Sequence, residues 1–88
     1  MTFLIVAEDL PTGAELAERI REREPDSFCI SISPSTAEEA LNTIQVDCVI
    51  CPPELAECLS RRKLPWLAVW PPEVSAEAMA KTLLPHRV

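Results

Sequence analysis

Two adjacent carboxylates, Glu8 and Asp9, are the first side chains in the sequence whose types could carry chemistry. They directly follow an apolar run at residues 3–7. Carboxylate oxygens are ligands that Mg²⁺ accepts, so the pair could hold a hard cation at the end of a strand. The same carboxylates could instead cap a following helix, because the first turn of a helix favours negative charge. Both interpretations are open from the sequence.

Three cysteines form a second candidate group. Cys48 and Cys51 have the spacing of a metal or redox motif, and Cys58 follows on the same segment. Within a strand, residues three apart point to opposite faces and cannot grip one ion. In a chain without a secretion signal we expect reduced thiols that pack as small core side chains. A thiol or zinc protein built on these cysteines is the alternative.

The remaining patterns typical of catalysis are weak. The single histidine, His86, follows Pro85 in a short tail and lacks the buried partner that a catalytic base needs. A phosphate-binding turn needs glycines for close backbone approach, and Gly13 is the one glycine of the chain. We therefore predict a protein that is not an enzyme and has no cofactor, with Mg²⁺ as the one ion that the acidic pair could take.

The composition is typical of one globular domain spanning residues 1–88. Apolar residues make up 48% of the chain and charged residues 25%, which is too apolar for a disordered protein. The net charge of −6, with only 8 Lys and Arg, disfavours the phosphate contacts of nucleic-acid binding. The apolar runs are far shorter than the ~20 residues that span a bilayer. We predict a cytoplasmic protein with neither a nucleic-acid nor a membrane partner.

The first of four strand-then-helix units shows the pattern most clearly. The apolar run at residues 3–7 is typical of a strand that helices cover on both faces. A helix should follow and stop before Pro25, with Glu15 placed to pair with Arg19 on its outer face. Its buried positions recur at helical spacing: Leu16, Ala17 and Ile20.

Three more units complete the chain. Apolar and small residues alternate at residues 28–32, as expected for a strand at a sheet edge. Ser35 and Glu38 then match a capping box, which predicts a helix start. The third and fourth units follow the same plan, with strands at residues 46–51 and 67–70, a helix opened by Pro52-Pro53-Glu54 and a helix over residues 74–84.

Strands that alternate with helices predict an α/β fold of three layers, with right-handed crossovers and a four-stranded parallel sheet in the order 2-1-3-4. In such sheets ligands bind beyond the carboxyl ends of the strands, where the strand order reverses. This point falls between strands one and three. The residues expected there are Glu8, Asp9, Pro52 and Pro53.

Three segments together resemble the first half of a response-regulator receiver domain, which has a flavodoxin-like fold. They are residues 3–9, residues 35–41 (Ser-Thr-Ala-Glu-Glu-Ala-Leu) and residues 46–50 (Val-Asp-Cys-Val-Ile), in the order and at the separations of that family. In receivers an acidic pair, matched here by Glu8 and Asp9, binds Mg²⁺ beside an aspartate that accepts a phosphoryl group.

The chain departs from the receiver pattern at the positions that carry its chemistry. The phosphoacceptor position falls on Cys51 or Pro52, and the Ser/Thr position that ends the fourth strand falls on Trp70. The fifth strand and its lysine are missing, so the fold would be truncated relative to a full receiver. The resemblance therefore implies a degenerate receiver, or pseudo-receiver, that works as a docking module in signalling.

A predicted docking surface lies on the fourth strand and the last helix. Without a fifth strand the fourth becomes an edge, which could pair with another protein or a second copy. The residues assigned to this surface are Trp66, Leu67, Val69, Trp70, Met79 and Leu83. The alternative is that the last helix covers the two tryptophans.

Overall fold

The structure, a computed structural model, describes residues 1–84, in which four strands alternate with four α-helices. His86 and Pro85 lie outside the described residues. The elements are β1 (Thr2–Val6), α1 (Leu10–Arg23), β2 (Phe28–Ile32), a 3₁₀ turn (Pro34–Thr36), α2 (Ala37–Thr43), β3 (Cys48–Cys51), α3 (Pro53–Ser60), β4 (Leu67–Val69) and α4 (Ala76–Leu83).

The four strands form one parallel sheet in the order β2-β1-β3-β4. Leu4 of β1 aligns with Ile30 of β2 and Val49 of β3, and Cys51 of β3 aligns with Val69 of β4. The two central strands are flanked on both sides, which explains their continuous apolar runs. The predicted α/β class, the four-stranded parallel sheet and its strand order are confirmed.

Alternation along the strands divides the core into two clusters, one on each face of the sheet. Phe3 and Ile5 lie on the face covered by α1 and α4, and Leu4 and Val6 lie on the face covered by α2 and α3. All four are buried, and burying each such side chain contributes about 1.5–3 kcal/mol. The arrangement is the predicted sandwich of helices, sheet and helices.

The last helix, α4, determines which edge of the sheet stays open. Right-handed crossovers place α2 and α3 on the same face, but α4 returns to the opposite face and packs against α1. Arg23 near the end of α1 donates a hydrogen bond to the Leu84 carbonyl at 3.0 Å, which ties the two helix ends together. Within residues 1–84, β4 is therefore the last strand, and its outer edge has no partner strand.

Helix α1 follows its sequence signals with one exception. Pro11 lies in the first turn, and Arg21 and Arg23 lie in the last, where cations favour the helix dipole. The predicted pairing of Glu15 with Arg19 is wrong. Arg19 instead binds Glu22, one turn further on, at 2.9 Å.

The predicted capping box before α2 is also wrong. Pro34 starts a 3₁₀ turn that contains Ser35, so Ser35 is not the extended N-cap residue that a capping box requires. Its hydroxyl instead lies 3.0 Å from that of Ser33. Among the helices of residues 1–84, the one with a side-chain cap is α4, where Ser75 Oγ accepts a hydrogen bond from the Ala78 N–H at 3.1 Å.

A close approach between α1 and β2 explains Gly13. A Cβ at this position would overlap Ser31 Oγ, although it would lie at ordinary distances of 3.4 Å from Ser31 Cβ and 3.5 Å from Ala7 Cβ. Ser31 Oγ is buried and has no hydrogen-bond partner within the described part of the chain. The hydroxyl is thus the one atom that excludes a side chain from position 13.

We expect Gly13→Ala and Ser31→Ala to be strongly coupled. In the Ser31→Ala background, Gly13→Ala should stabilise the protein by about 1 kcal/mol, the difference in helix propensity between glycine and alanine. With Ser31 present, the overlap should offset that gain. Urea unfolding of the four members of the cycle measures the coupling, and effects that simply add to within about 0.5 kcal/mol would contradict the predicted overlap.

Candidate functional site

A cleft of about 230 Å³ lies at the carboxyl edge of the sheet. Because the strands are parallel, the loops that follow β1, β3 and β4 meet there. The predicted gathering at this edge is confirmed for Glu8, Asp9 and Pro52, whereas Pro53 lies outside the cleft. The lining residues are Val6, Ala7, Glu8, Asp9, Thr12, Pro52, Glu54, Trp70, Pro71, Pro72 and Val74.

The apolar wall of the cleft is held in place by Trp70. Its backbone N–H donates to the Cys51 carbonyl at 2.8 Å, which continues the pairing of β4 with β3. Its indole Nε1–H donates to the Val74 carbonyl, also at 2.8 Å. The side chain is 8% exposed, so the indole is fixed both by packing and by a satisfied polar group.

Three carboxylates, those of Glu8, Asp9 and Glu54, line the same cleft and are exposed. Asp9 occupies the N-cap position of α1, but its side chain does not bond a backbone N–H. Asp9 Oδ2 instead accepts a hydrogen bond from the Thr12 hydroxyl. Asp9 therefore lies at the N-cap position, as the capping interpretation expects, but its side chain does not hydrogen-bond the helix backbone.

For Mg²⁺ the protein offers the adjacent carboxylates of Glu8 and Asp9 and few other ligands. No group of three potential ligands (His, Cys, Asp or Glu) lies close enough to hold a metal ion in residues 1–84. Asp47 accepts a hydrogen bond from the Thr2 N–H at 2.8 Å, which places it at the opposite, amino edge of the sheet as expected. Mg²⁺ binding by Glu8 and Asp9 stays a prediction, and water would have to complete its coordination.

The cysteines do not converge on one site. Cys48 lies on the α1/α4 face and Cys51 on the α2/α3 face, both fully buried, and Cys58 is exposed on α3. Burial raises the pKa of Cys48 to about 12, with a smaller contribution from the nearby charge of Asp47. Burial likewise raises the pKa of Cys51. Neutral, buried thiols are poor nucleophiles and poor metal ligands, which agrees with a packing role.

The outer edge of β4 is a second candidate site. The Trp66 carbonyl accepts a hydrogen bond from the Val49 N–H, and the Trp70 N–H donates to Cys51, so even-numbered residues of this segment bond to β3. Strand geometry then directs the backbone N–H and C=O groups of Leu67 and Val69 outward. The Val69 side chain is 41% exposed. Within the described part of the chain, this short edge offers backbone donors and acceptors without a partner strand, beside an apolar side chain.

The predicted docking residues divide into two sets. Trp66 and Leu67 are half-buried and Val69 is exposed, as a contact surface requires. The other three belong to the core cluster beneath α1 and α4 and are nearly inaccessible in the isolated chain: Trp70, Met79 and Leu83. These three support β4 from inside, so the part of the predicted surface that stays accessible is Trp66, Leu67 and Val69.

Three surface residues were not anticipated from the sequence: two line the cleft, and one lies at the opposite edge of the sheet. Glu54 and Thr12 line the cleft although neither directly follows a strand. Each lies in the first turn of a helix that follows a strand, and this position is the signal that could have identified them. Phe28 at the start of β2 is 62% exposed, although alternation suggested an inward face. The sheet thus has an exposed aromatic residue at its other edge.

The fold and the cleft define a small flavodoxin-like α/β domain with a concave acidic site at the carboxyl edge of its sheet. Comparison with protein-family models, with curated proteins and with solved structures gave no match. Among residues 1–84, no helix has the length and apolar character needed to cross a membrane.

Proposed function

We propose that this chain is a cytoplasmic, non-catalytic protein-interaction module of a signalling system and that it works as a pseudo-receiver. It docks an extended segment of another protein on the outer edge of β4. The observation that carries the proposal is the outward direction of the backbone N–H and C=O groups of Leu67 and Val69, on a strand whose outer edge pairs with no other strand of residues 1–84. Edge strands with free ladder groups are templates for strand addition.

The size of this edge limits what it can bind. β4 has only three residues, and Pro65 and Pro71 flank it. Proline has no N–H to donate, so the outward backbone donors of residues 65–71 are confined to Leu67 and Val69. Short edges bordered by proline resist indiscriminate pairing with other chains. A partner therefore needs additional contacts, and the cleft that begins at Trp70 is adjacent to the edge.

The residues at the end of β3 support a non-catalytic role. Cys51 is fully buried and its thiol has a raised pKa, so it cannot take the part of an exposed, ionised phosphoacceptor. Pro52, which follows it, has no reactive side chain. The acidic pair is retained without the group that would receive a phosphoryl transfer.

Two proline substitutions separate docking from folding. We expect Val69→Pro to lower stability by less than about 1 kcal/mol, because the N–H it removes points to solvent and edge strands tolerate proline there. Ala68→Pro should lower stability by about 3 kcal/mol, since the N–H of Ala68 faces β3. Urea unfolding of both variants measures the difference. Equal losses would show that the assigned directions of the two N–H groups are wrong.

The proposal is tested with a photoreactive phenylalanine analogue at position 69, expressed in the cells from which the protein comes. The control carries the analogue at Glu18, an exposed position on α1 remote from β4. We expect one protein to dominate the adducts at position 69 and to be missing from those at position 18. The purified partner should then bind Val69→Pro at least about tenfold more weakly than the parent chain. Identical adducts at both positions, or unchanged affinity, would overturn the proposal.

A further inference from the structure

We propose that the cleft at the carboxyl edge binds one basic side chain, a lysine or arginine of the segment that docks on β4. This inference rests on the proposed docking function and adds the chemistry by which the partner is selected. The charge, size and position of the cleft support it.

Charge favours a cationic occupant. Glu8, Asp9 and Glu54 line the cleft, and no lysine or arginine of residues 1–84 does. The ion pairs of the described chain engage other carboxylates: Glu22, Glu38, Glu57 and Glu77. The three carboxylates of the cleft therefore have no cationic partner within residues 1–84. Their potentials add at the mouth of the cleft, attract a cation and repel phosphate.

Size and lining favour a side chain over a metabolite. The cleft volume of about 230 Å³ is below the ~300–1,000 Å³ of pockets that bury drug-sized ligands. Trp70, Val74 and the prolines provide apolar surface in the same cleft as the carboxylates. The aliphatic stem of lysine or arginine can bury against such surface while its charged end stays at the rim.

Position connects the cleft to the docking edge. Trp70 and Pro71 line the cleft and directly follow Val69, the last residue of β4. A strand advances ~3.3 Å per residue, so a segment paired with Val69 reaches the cleft within about two residues. Backbone pairing and side-chain capture can thus be made by one short extended segment with a basic residue near its end.

The test is an amide NMR titration of the labelled protein with Nα-acetyl-lysine N-methylamide. We expect saturable shifts at Glu8, Asp9 and the Trp70 indole, with a dissociation constant on the order of 1–10 mM and weakening as salt is added. The norleucine analogue, which keeps the stem and lacks the charge, should bind at least about tenfold more weakly. The arginine analogue shows which of the two cations the cleft prefers, and binding by either supports the proposal.

Matched variants assign the effect to the cleft. Glu8→Gln and Glu54→Gln should each weaken binding of the lysine probe about threefold or more, whereas Glu18→Gln, which removes an exposed carboxylate of α1, should leave it unchanged. Equal binding of the norleucine analogue, equal effects of all three variants, or displacement of the probe by equimolar Mg²⁺ would overturn the proposal. The last result would assign the cleft to a metal ion.

Two results separate recognition of a basic side chain by the cleft from docking on β4. If the crosslinked partner loses affinity for Val69→Pro but not for Glu8→Gln or Glu54→Gln, docking stands and selection by a basic side chain is refuted. If the lysine probe binds in the cleft while no partner crosslinks at position 69, the cleft is a cation site and the docking function is refuted.

Discussion

Phe3→Ala is expected to destabilise the protein by about 3–5 kcal/mol, which would remove most of the stability of a domain of this size. Phe3 lies in the central strand β1 with its side chain 0% exposed, and its ring meets the edge of Trp66 with centroids 6.5 Å apart. Alanine would leave a cavity between the sheet and the α1/α4 layer. The same contact anchors the residue that precedes β4.

The second phenylalanine of the chain is the matched control. Phe28 is 62% exposed, so Phe28→Ala should change stability by less than about 1 kcal/mol. Urea unfolding followed by tryptophan fluorescence measures both variants. Equal losses would contradict the two-layer core, because the two substitutions remove the same atoms and differ only in burial.

Alkaline pH is expected to destabilise the protein, and ionisation of Cys48 should contribute to the loss. Burial raises the pKa of this thiol to about 12, whereas a thiol of the unfolded chain ionises near pH 9. The folded state therefore retains a proton that the unfolded chain releases. The contribution of Cys48 to stability is complete below about pH 9 and is lost as the pH approaches 12, at about 1.4 kcal/mol per pH unit.

Two alanine variants isolate this contribution. Cys48→Ala should lower stability at pH 7, because it opens a small cavity, and should reduce the loss of stability between pH 9 and pH 11 by about 1.4 kcal/mol per unit. Cys58→Ala removes an exposed thiol and should keep the slope of the parent protein. Urea unfolding at stepped pH values gives these slopes. An unchanged slope in Cys48→Ala would mean that the buried thiol does not hold its proton.

Local periodicity predicted the elements and the sheet because each strand and helix carries its own signal. The buried strand β3 is apolar throughout and β1 is apolar from Phe3 to Val6, the sequence of the edge strand β2 alternates, and the helices repeat apolar residues at their inner positions. Short connections and right-handed crossovers then leave few strand orders. The predictions that failed depend on the conformation of a single turn. The capping box predicted at Ser35 does not form because Pro34 starts a 3₁₀ turn there.

The burial of the docking residues could not be read from local sequence. Trp70, Met79 and Leu83 have the apolar character of an interface, and whether they face a partner or the core depends on the face to which α4 returns. Phe28 shows the opposite case. α2 is seven residues, ~10 Å long, and β2 spans ~16 Å, so the far end of the strand is left uncovered.

The candidate site was predicted in location and incompletely in composition. Parallel topology brings Glu8 and Asp9 to the carboxyl edge beside Pro52, which sequence order alone implies. The depth of the cleft depends on the indole of Trp70, which a hydrogen bond to Val74 holds in the wall. That contact joins residues of one loop whose conformation no periodic pattern specifies.

Residue-resolved hydrogen exchange of the chain, alone and with the partner recovered at position 69, tests the docking function most directly. In the free protein the amides of Leu67 and Val69 should exchange rapidly, and that of Ala68, which faces β3, should be protected. In the complex, exchange at Leu67 and Val69 should slow at least about tenfold while Ala68 changes little. A complex that leaves both outward amides in fast exchange would contradict docking by strand addition at β4.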